Sequence, residues 1–220
     1  PINHPCLPPP SSLILPMTSI ALFGTSADPP HTAHQEILVW LSHHFDQVAV
    51  WASNNPFKSH QTPLIHRTAM LQLMVKDINP VRHNIRVYPE LSSPRALVTV
   101  KQARQRWKGA TFSLVVGSDL VMQLPRWYQV EALLRQVKLL VVPRPGYPLN
   151  ESDLEPLRQM GAMVAIADLT GLPVSSTAFR DAGDADMLTP PIEAYIHQKC
   201  LYAVCQDDFP KNLLTPSPTS

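Results

Sequence analysis

The stretch from Ile20 to His34 constrains the fold most, because it joins an apolar strand to a tight turn and a helix start. Residues 18–23 suit a short buried strand, and Gly24 follows them directly. His31 and His34 are three residues apart, so on a helix their imidazole rings share one face. A helix N-terminus also carries backbone N–H groups without a helical partner and the positive end of the helix dipole. The stretch therefore predicts an anion site, with phosphate as the expected ligand. A βα turn with two exposed histidines is the alternative.

Strand-like apolar runs alternate with amphipathic helical segments along the rest of the chain. The intervals between the runs are too long for hairpins, which indicates parallel strands joined by helical crossovers. A chain of 220 residues is long enough for one sizeable core. We therefore predict an α/β fold, a doubly wound parallel sheet in a single domain, with ligands at the carboxyl ends of the strands. The predicted strands are 18–23, 47–52, 85–88, 111–116, 138–142 and 163–166, and the predicted helices are 35–44, 64–75, 97–107, 127–134, 151–160 and 190–201.

Composition excludes several classes of protein. The formal net charge of +1 leaves no electrostatic footprint for nucleic acid or an anionic membrane. No apolar run reaches the length of about 18 residues that a membrane-spanning helix needs. Three cysteines are too few for a disulfide framework, and no second Cys or His pair completes a zinc site. We therefore expect ordinary thiols in a reducing cytoplasm. Prolines crowd both ends, so we predict flexible tails at 1–16 and 204–220 around a domain at 17–203.

Polar groups follow several of the predicted strands. Lys58 lies in the loop after the second strand, where it is either solvated or directed into the ligand crevice. Asp119 follows Gly117 at the end of the fourth strand and is either a ribose-binding carboxylate or a helix N-cap. A late cluster offers hydroxyl, N–H and guanidinium groups to a second anion, unless it is a serine cap beside a surface arginine. Its members are Ser175, Ser176, Thr177 and Arg180.

Six short segments resemble, in order, the motifs of one enzyme family. Residues 24–29 and 31–34 are similar to Gly-Gly-Thr-Phe-Asp-Pro and His-x-Gly-His, and residues 117–119 are similar to Gly-Ala-Asp. The family's Trp-Tyr, Arg-Pro-Gly and Ile-Ser-Ser-Thr-x-Ile-Arg motifs resemble residues 127–128, 144–146 and 174–180. Over roughly residues 18–203 the chain thus resembles the bacterial nicotinate-nucleotide adenylyltransferases of the HxGH nucleotidyltransferase superfamily.

The resemblance implies a Rossmann-like nucleotidyltransferase fold and transfer of the adenylyl group of ATP to nicotinate mononucleotide. With Mg²⁺, that reaction gives deamido-NAD and pyrophosphate in NAD biosynthesis. The resemblance implies that His31 and His34 contact the ATP phosphates and stabilise the charge that develops at the α-phosphorus. Ser26 would join them from the loop. The late cluster would hold the β- and γ-phosphates, and Asp119 the adenosine ribose. The implied ATP-binding set is Gly24, Asp28, Gly117, Asp119, Ser175, Ser176, Thr177 and Arg180.

On the acceptor side, the resemblance implies that Trp127 stacks on the pyridine ring and that Lys58 contacts the acceptor phosphate. Backbone N–H groups near Thr99 and Tyr128 would receive the nicotinate carboxylate. No side chain is implied as a metal ligand. The expected partners are ATP and a pyridine mononucleotide, and a homo-oligomer is possible.

The chain departs from the family pattern at four positions. Thr25 replaces the second glycine of the opening motif, and Ala33 replaces the glycine between the histidines. Ala27 replaces an aromatic residue, and Lys101 replaces an aspartate of the acceptor segment. The ATP side keeps more of its motifs, so adenylyl transfer is better supported than the identity of the acceptor. The alternatives are nicotinamide mononucleotide or another phosphorylated acceptor, or a nucleotide-binding protein with little catalysis, against which the two retained histidines argue.

Overall fold

A computed structural model of the protein describes residues 17–54, 61–169, 176–177, 180 and 187–202. In these residues, six strands form one sheet in the order β3-β2-β1-β4-β5-β6, and every neighbouring pair is parallel. The strands are β1 (Ser19–Thr25), β2 (Gln47–Ala52), β3 (Ile85–Val87), β4 (Thr111–Gly117), β5 (Lys138–Val142) and β6 (Met163–Ile166). This order confirms the predicted doubly wound parallel sheet.

Helical segments connect the strands and cover both faces of the sheet. They are α1 (Thr32–His44), α2 (Leu64–Asp77), α3 (Ala96–Arg106), α4 (Val130–Leu134), α5 (Glu151–Gln159) and α6 (Pro190–Lys199), with 3₁₀ turns at Pro89–Leu91 and Ser118–Arg126. The helix predicted over 127–134 begins only at Val130, because residues 127–129 form a turn that ends with Gln129 at a φ of 49°. The 3₁₀ turn at Ser118–Arg126 was not predicted. It contains Pro125, which has no N–H to continue a helical hydrogen-bond ladder.

Strand β1 divides the core into two layers, because its side chains alternate between the faces of the sheet. Ile20 and Leu22 pack in the layer that contains α3, α4 and α5. Ala21 and Phe23 pack in the layer that contains α1, α2 and α6. All four side chains are buried, and burying one leucine side chain completely stabilises a fold by about 1.5–3 kcal/mol. The central strand is therefore anchored from both sides, which fixes the position of the loop that follows it.

The sheet changes winding direction at β1, which pairs with β2 on one side and with β4 on the other. The helix that follows β1 packs on one face, and the helical segments that follow β4 pack on the opposite face. The carboxyl ends of β1 and β4 therefore flank a crevice, which is where open α/β sheets bind their ligands. The predicted tails lie outside the described residues. Within the described part of the chain, no helix has the length and apolarity that crossing a membrane requires.

Candidate active site

The end of β1 is fixed against β2. A Cβ atom on Gly24 would lie 2.6 Å from the Trp51 ring, so packing against β2 requires a glycine at this position. Thr25 is paired with Ala52, and the Thr25 carbonyl accepts a hydrogen bond from the Ser53 N–H over 2.7 Å. The backbone therefore leaves the sheet at a defined position on the edge of the crevice.

The two histidines lie together at the start of α1, as their spacing predicts. His31 immediately precedes the helix, and its backbone N–H donates to Nδ1 of His34 over 3.2 Å. The centroids of the two rings are 3.9 Å apart. Burial, with a smaller contribution from the positive charge of Arg144, lowers the pKa of His31 to about 4. His31 is therefore neutral at neutral pH, so the two rings stay in contact without repulsion between like charges.

Asp28 holds the loop between β1 and α1 (residues 26–31, the β1–α1 loop). The carboxylate of Asp28 is buried and accepts hydrogen bonds from the Thr62 N–H at 3.2 Å and from the Tyr202 hydroxyl at 2.7 Å. Burial is the main cause of a raised pKa of Tyr202, so its hydroxyl stays protonated and donates. Asp28 was predicted to bind ATP. Its hydrogen bonds show that Asp28 shapes the loop, and ATP binding by this residue stays a prediction.

Arg67 is a functional candidate that the sequence analysis missed. It lies on α2, is 2% exposed, and donates hydrogen bonds to the carbonyls of Thr62 (2.7 Å), Ser26 (2.9 Å) and Ser53 (2.7 Å). One guanidinium thus ties the β1–α1 loop to the loop after β2. Burial lowers the pKa of Arg67, and the negative charge of Asp28 opposes that effect. The sequence did offer one signal of this role, because Arg67 is a charged residue on the face of α2 that is otherwise apolar and buried.

The late cluster reaches the same loop from a distant part of the chain. The hydroxyl of Ser176 donates to the Pro29 carbonyl over 2.8 Å, and the Arg180 guanidinium donates to the Asp28 carbonyl. Arg180 also donates to Oγ1 of Thr177 over 3.3 Å. The structure therefore brings these three predicted residues to the loop that directly precedes the histidine pair. Ser175 and Lys58 lie outside the described residues.

Asp119 lies on the β4 side of the crevice. It lies inside the 3₁₀ turn that follows β4 and makes no capping hydrogen bond, so the N-cap alternative is wrong. Its Oδ2 accepts a hydrogen bond from Arg144 over 3.0 Å, and its Oδ1 is buried without a hydrogen-bond partner in the described part of the chain. A Cβ atom on Gly117 would collide with both of these side chains, so Gly117 makes room for them. An oriented carboxylate with an unmet acceptor suits the hydroxyls of a sugar.

The residues predicted to bind the acceptor differ in their exposure to solvent. Thr99 is buried, and its hydroxyl donates to the Leu91 carbonyl over 2.8 Å, so its side chain braces α3. Trp127 is half-buried against the core. Tyr128 is 48% exposed, and the guanidinium of Arg95 lies 4.3 Å from the centre of its ring. The structure therefore adds a cation, Arg95, beside the predicted aromatic pair.

The fold and the site define a nucleotidyltransferase. Residues 22–182 match the model of the cytidylyltransferase-like family. Among solved structures, a Plasmodium falciparum nicotinic acid mononucleotide adenylyltransferase complexed with NaAD has the same fold. Its TM-score is 0.72 at 19% identity, over 84% of this chain and 97% of that chain.

Sequence relatives narrow the class. A Synechocystis protein named "Probable nicotinate-nucleotide adenylyltransferase" is 44% identical over 83% of this chain and 98% of its own length. The Bacillus subtilis nicotinate-nucleotide adenylyltransferase is 27% identical over 84% of this chain and 99% of its own length. The chain belongs to the nicotinate-nucleotide adenylyltransferase family.

Proposed function

We propose that this enzyme transfers the adenylyl group of ATP to nicotinate mononucleotide and so forms deamido-NAD and pyrophosphate in NAD biosynthesis. The observation that carries the proposal is the convergence of distant anion-binding groups at one loop. The histidine pair lies at the start of α1, and Ser176 and Arg180 contact the β1–α1 loop directly before it. Relatives that carry this name over nearly their whole length support the same activity.

In the proposed reaction, a phosphate oxygen of the mononucleotide attacks the α-phosphorus of ATP. The bond between that phosphorus and the β-phosphate oxygen breaks, and its electron pair leaves with pyrophosphate. The attacking oxygen is already negatively charged, so no nucleophile–base pair is needed. The task of the protein is to position the reactants and to stabilise the charge on the transferring and leaving oxygens.

We assign the chain's groups to the two ends of the triphosphate. His31 and His34, together with Ser26, are assigned to the α-phosphate, because the two histidines stand at the start of α1, where the helix dipole is positive. Ser176, Thr177 and Arg180, together with Ser175, are assigned to the pyrophosphate that leaves. A guanidinium suits that role because it donates several parallel hydrogen bonds to phosphate oxygens.

The divalent ion of this reaction enters, in our proposal, as part of the substrate Mg-ATP. Among the described residues, no group of three or more His, Cys, Asp or Glu side chains could hold a metal ion. Mg²⁺ is commonly held through substrate phosphates and water rather than by a cage of protein ligands. The chain's own residues would then bind the phosphates, and the ion would neutralise charge between them.

The acid form of the acceptor is favoured by a positive charge beside the Trp–Tyr turn (Trp127–Gln129). Arg95 directly precedes α3 and covers the Tyr128 ring. A guanidinium near the predicted site of the pyridine substituent attracts a carboxylate more strongly than a neutral amide. In the proposed complex, Trp127 stacks on the pyridine ring and Lys58 contacts the acceptor phosphate. The backbone near Thr99 and Tyr128 stays the proposed carboxylate site.

Pyrophosphate release by the purified protein tests the function. The assay supplies Mg-ATP with either nicotinate mononucleotide or nicotinamide mononucleotide, and the His34→Ala variant is the control. Release that requires the wild-type protein and the acid is expected. Release with the amide alone would retain adenylyl transfer and reassign the acceptor, whereas release with neither would refute the proposed reaction.

Three further proposals accompany this function. The catalytic domain extends over residues 17–203, between two tails. The reaction takes place in the cytoplasm, where ATP is available. The enzyme assembles as a homo-oligomer. Sedimentation velocity at micromolar protein concentration tests the last of these.

A further inference from the structure

The departure at Thr25 creates a contact with one of the two histidines. Thr25 ends the central strand, and its Oγ1 lies 2.8 Å from Nε2 of His34. A glycine, which stands here in the family pattern, has no side chain to make this hydrogen bond. With threonine at this position, the backbone is less free than with glycine, and His34 gains a polar partner at the edge of the crevice.

The second hydrogen bond of His34 decides where its hydrogen lies. A backbone N–H can only donate, so Nδ1 of His34 must accept from the His31 N–H that lies 3.2 Å away. A neutral imidazole carries its single hydrogen on the other nitrogen, which is Nε2. That Nε2–H group therefore donates to Oγ1 of Thr25. Both nitrogens of His34 thus have defined roles before any substrate binds.

Both partners of the new contact are held firmly. The Thr25 backbone is fixed in the sheet through Ala52 and Ser53, and a β-branched side chain has few χ1 choices. His34 lies in the first turn of α1, and its ring lies against that of His31. The His31 N–H thus sets the tautomer of His34, and the Thr25 hydroxyl restrains the rotation of the ring, in the way that an orienting group restrains a catalytic histidine in other enzymes.

We propose that Thr25 is a positioning residue for His34: in the free enzyme its Oγ1 accepts the Nε2–H and so holds the ring in the orientation from which that N–H turns to an α-phosphate oxygen when ATP binds. This inference rests on the proposed adenylyl transfer, in which His34 stabilises charge at the α-phosphorus. Thr25 acts through His34. Its loss should therefore lower kcat only while His34 is present.

Substitutions at Thr25 separate its hydroxyl from its bulk. Thr25→Val keeps the shape and removes the acceptor, and we expect kcat for pyrophosphate release to fall about 10-fold, with the KM for ATP changed less than about 3-fold. Thr25→Ser keeps the hydroxyl and should retain kcat within about 3-fold. Thr18→Val is the matched control, because Thr18 is an exposed residue directly before the opposite end of the same strand. Thr25→Ala repeats the test if the valine variant folds poorly.

Two measurements distinguish positioning from a general structural role. In the His34→Ala background, Thr25→Val should cause no further loss of kcat, because its target is absent. Nitrogen-15 NMR of His34 near pH 7.5 should show the Nε2–H tautomer in both proteins, with a shifted Nε2 resonance and faster exchange of its hydrogen with water in Thr25→Val. A full additional loss in the double variant, an unchanged His34 spectrum, or failure of Thr25→Ser to preserve kcat would overturn the proposal. The NMR arm needs no turnover, so it remains decisive even if the wild type releases no pyrophosphate.

Discussion

The two sides of the crevice are built in different ways. The β1–α1 loop is held by part-buried hydrogen bonds from distant parts of the chain, which are donated by Thr62, Arg67, Ser176, Arg180 and Tyr202. In the Trp–Tyr turn, the backbone N–H of Trp127 donates to the Leu124 carbonyl, and the Arg95 guanidinium lies on the exposed Tyr128 ring. Polar groups that are hydrogen-bonded away from bulk water favour one geometry, whereas exposed aromatic surface can adjust to a ligand.

This difference suits the two substrates. A transition state with charge on several phosphate oxygens gains most from donors that are already in place and need no rearrangement. A flat pyridine ring needs mainly an apolar face and one group for its substituent. Changes at the β1–α1 loop should therefore affect stability and turnover together, and changes at the Trp–Tyr turn should affect substrate affinity.

The largest expected effect is the loss of the buried guanidinium of Arg67. Arg67→Met keeps much of the side-chain volume but leaves the carbonyls of Ser26, Ser53 and Thr62 without this donor. A buried polar group without a partner costs about 1–3 kcal/mol, so the free energy of unfolding should fall by about 3 kcal/mol or more. Urea denaturation measures the loss, with Arg104→Met on the exposed face of α3 as the control. Equal losses in the two variants would remove Arg67 from its assigned role.

His34→Ala tests the catalytic end of the same loop. We expect kcat for pyrophosphate release to fall about 100-fold or more, which is typical for the loss of a preorganised donor at developing charge. The exposed His83 supplies the control His83→Ala, which should keep the wild-type rate. Steady-state kinetics near pH 7.5 makes the comparison. A His34→Ala enzyme that is as fast as the control would exclude His34 from the reaction.

The sequence predicted the frame of the molecule well, because the strands are continuous apolar runs and buried parallel strands require such runs. All six strands lie within a residue or two of their predicted positions. The 3₁₀ turn at Ser118–Arg126 could not be predicted in the same way. Its polar residues and Pro125 are typical of a loop, whereas in the fold Val121 and Leu124 pack into the core and Ser118 bonds to the distant Tyr147 and Arg144.

The site was predictable only where it depends on local spacing. The separation of His31 and His34 places them on one helix turn in any α/β fold. Arg67 and Tyr202 could not be predicted, because their partners in the β1–α1 loop are far away in the sequence and are partly backbone carbonyls. The substitution at Thr25 was visible, but its contact with His34 depends on how β1 and α1 meet.

The lowered pKa of His31 predicts an acid-sensitive fold. The folded chain keeps His31 neutral down to a pH of about 4, whereas an unfolded chain protonates it near its ordinary pKa of 6.5. The unfolded state therefore binds the additional proton as the pH falls from 6.5 to 4, and stability is lost over that window. From pH 7 to pH 5 the loss from this residue should be about 2 kcal/mol. Urea denaturation of wild type and His31→Asn measures it. An equally steep loss in the variant would contradict the assignment.

Tyr202→Phe should have a smaller effect on the same loop. The change removes one donor from the buried Asp28 carboxylate and leaves the bond from the Thr62 N–H. A hydrogen bond to a charged group contributes about 1.5–3 kcal/mol, so we expect the free energy of unfolding to fall by about 1.5 kcal/mol. Tyr147→Phe, at an exposed position, is the control. If the two phenylalanine variants unfold at the same urea concentration, Tyr202 does not stabilise the loop.

The smallest expected effect lies on the other side of the crevice. Stacking on an aromatic ring contributes about 0.5–1.5 kcal/mol, so Trp127→Ala should raise the KM for the mononucleotide about 5-fold and change the KM for ATP by less than about 2-fold. Trp127→Phe keeps an aromatic face and should retain most of the affinity. The selective change in KM would sharpen the contrast between an adjustable acceptor surface and a fixed phosphate site. A kcat loss as large as that of His34→Ala, or equal changes in both KM values, would show that the Trp–Tyr turn also determines the geometry of the reacting phosphates.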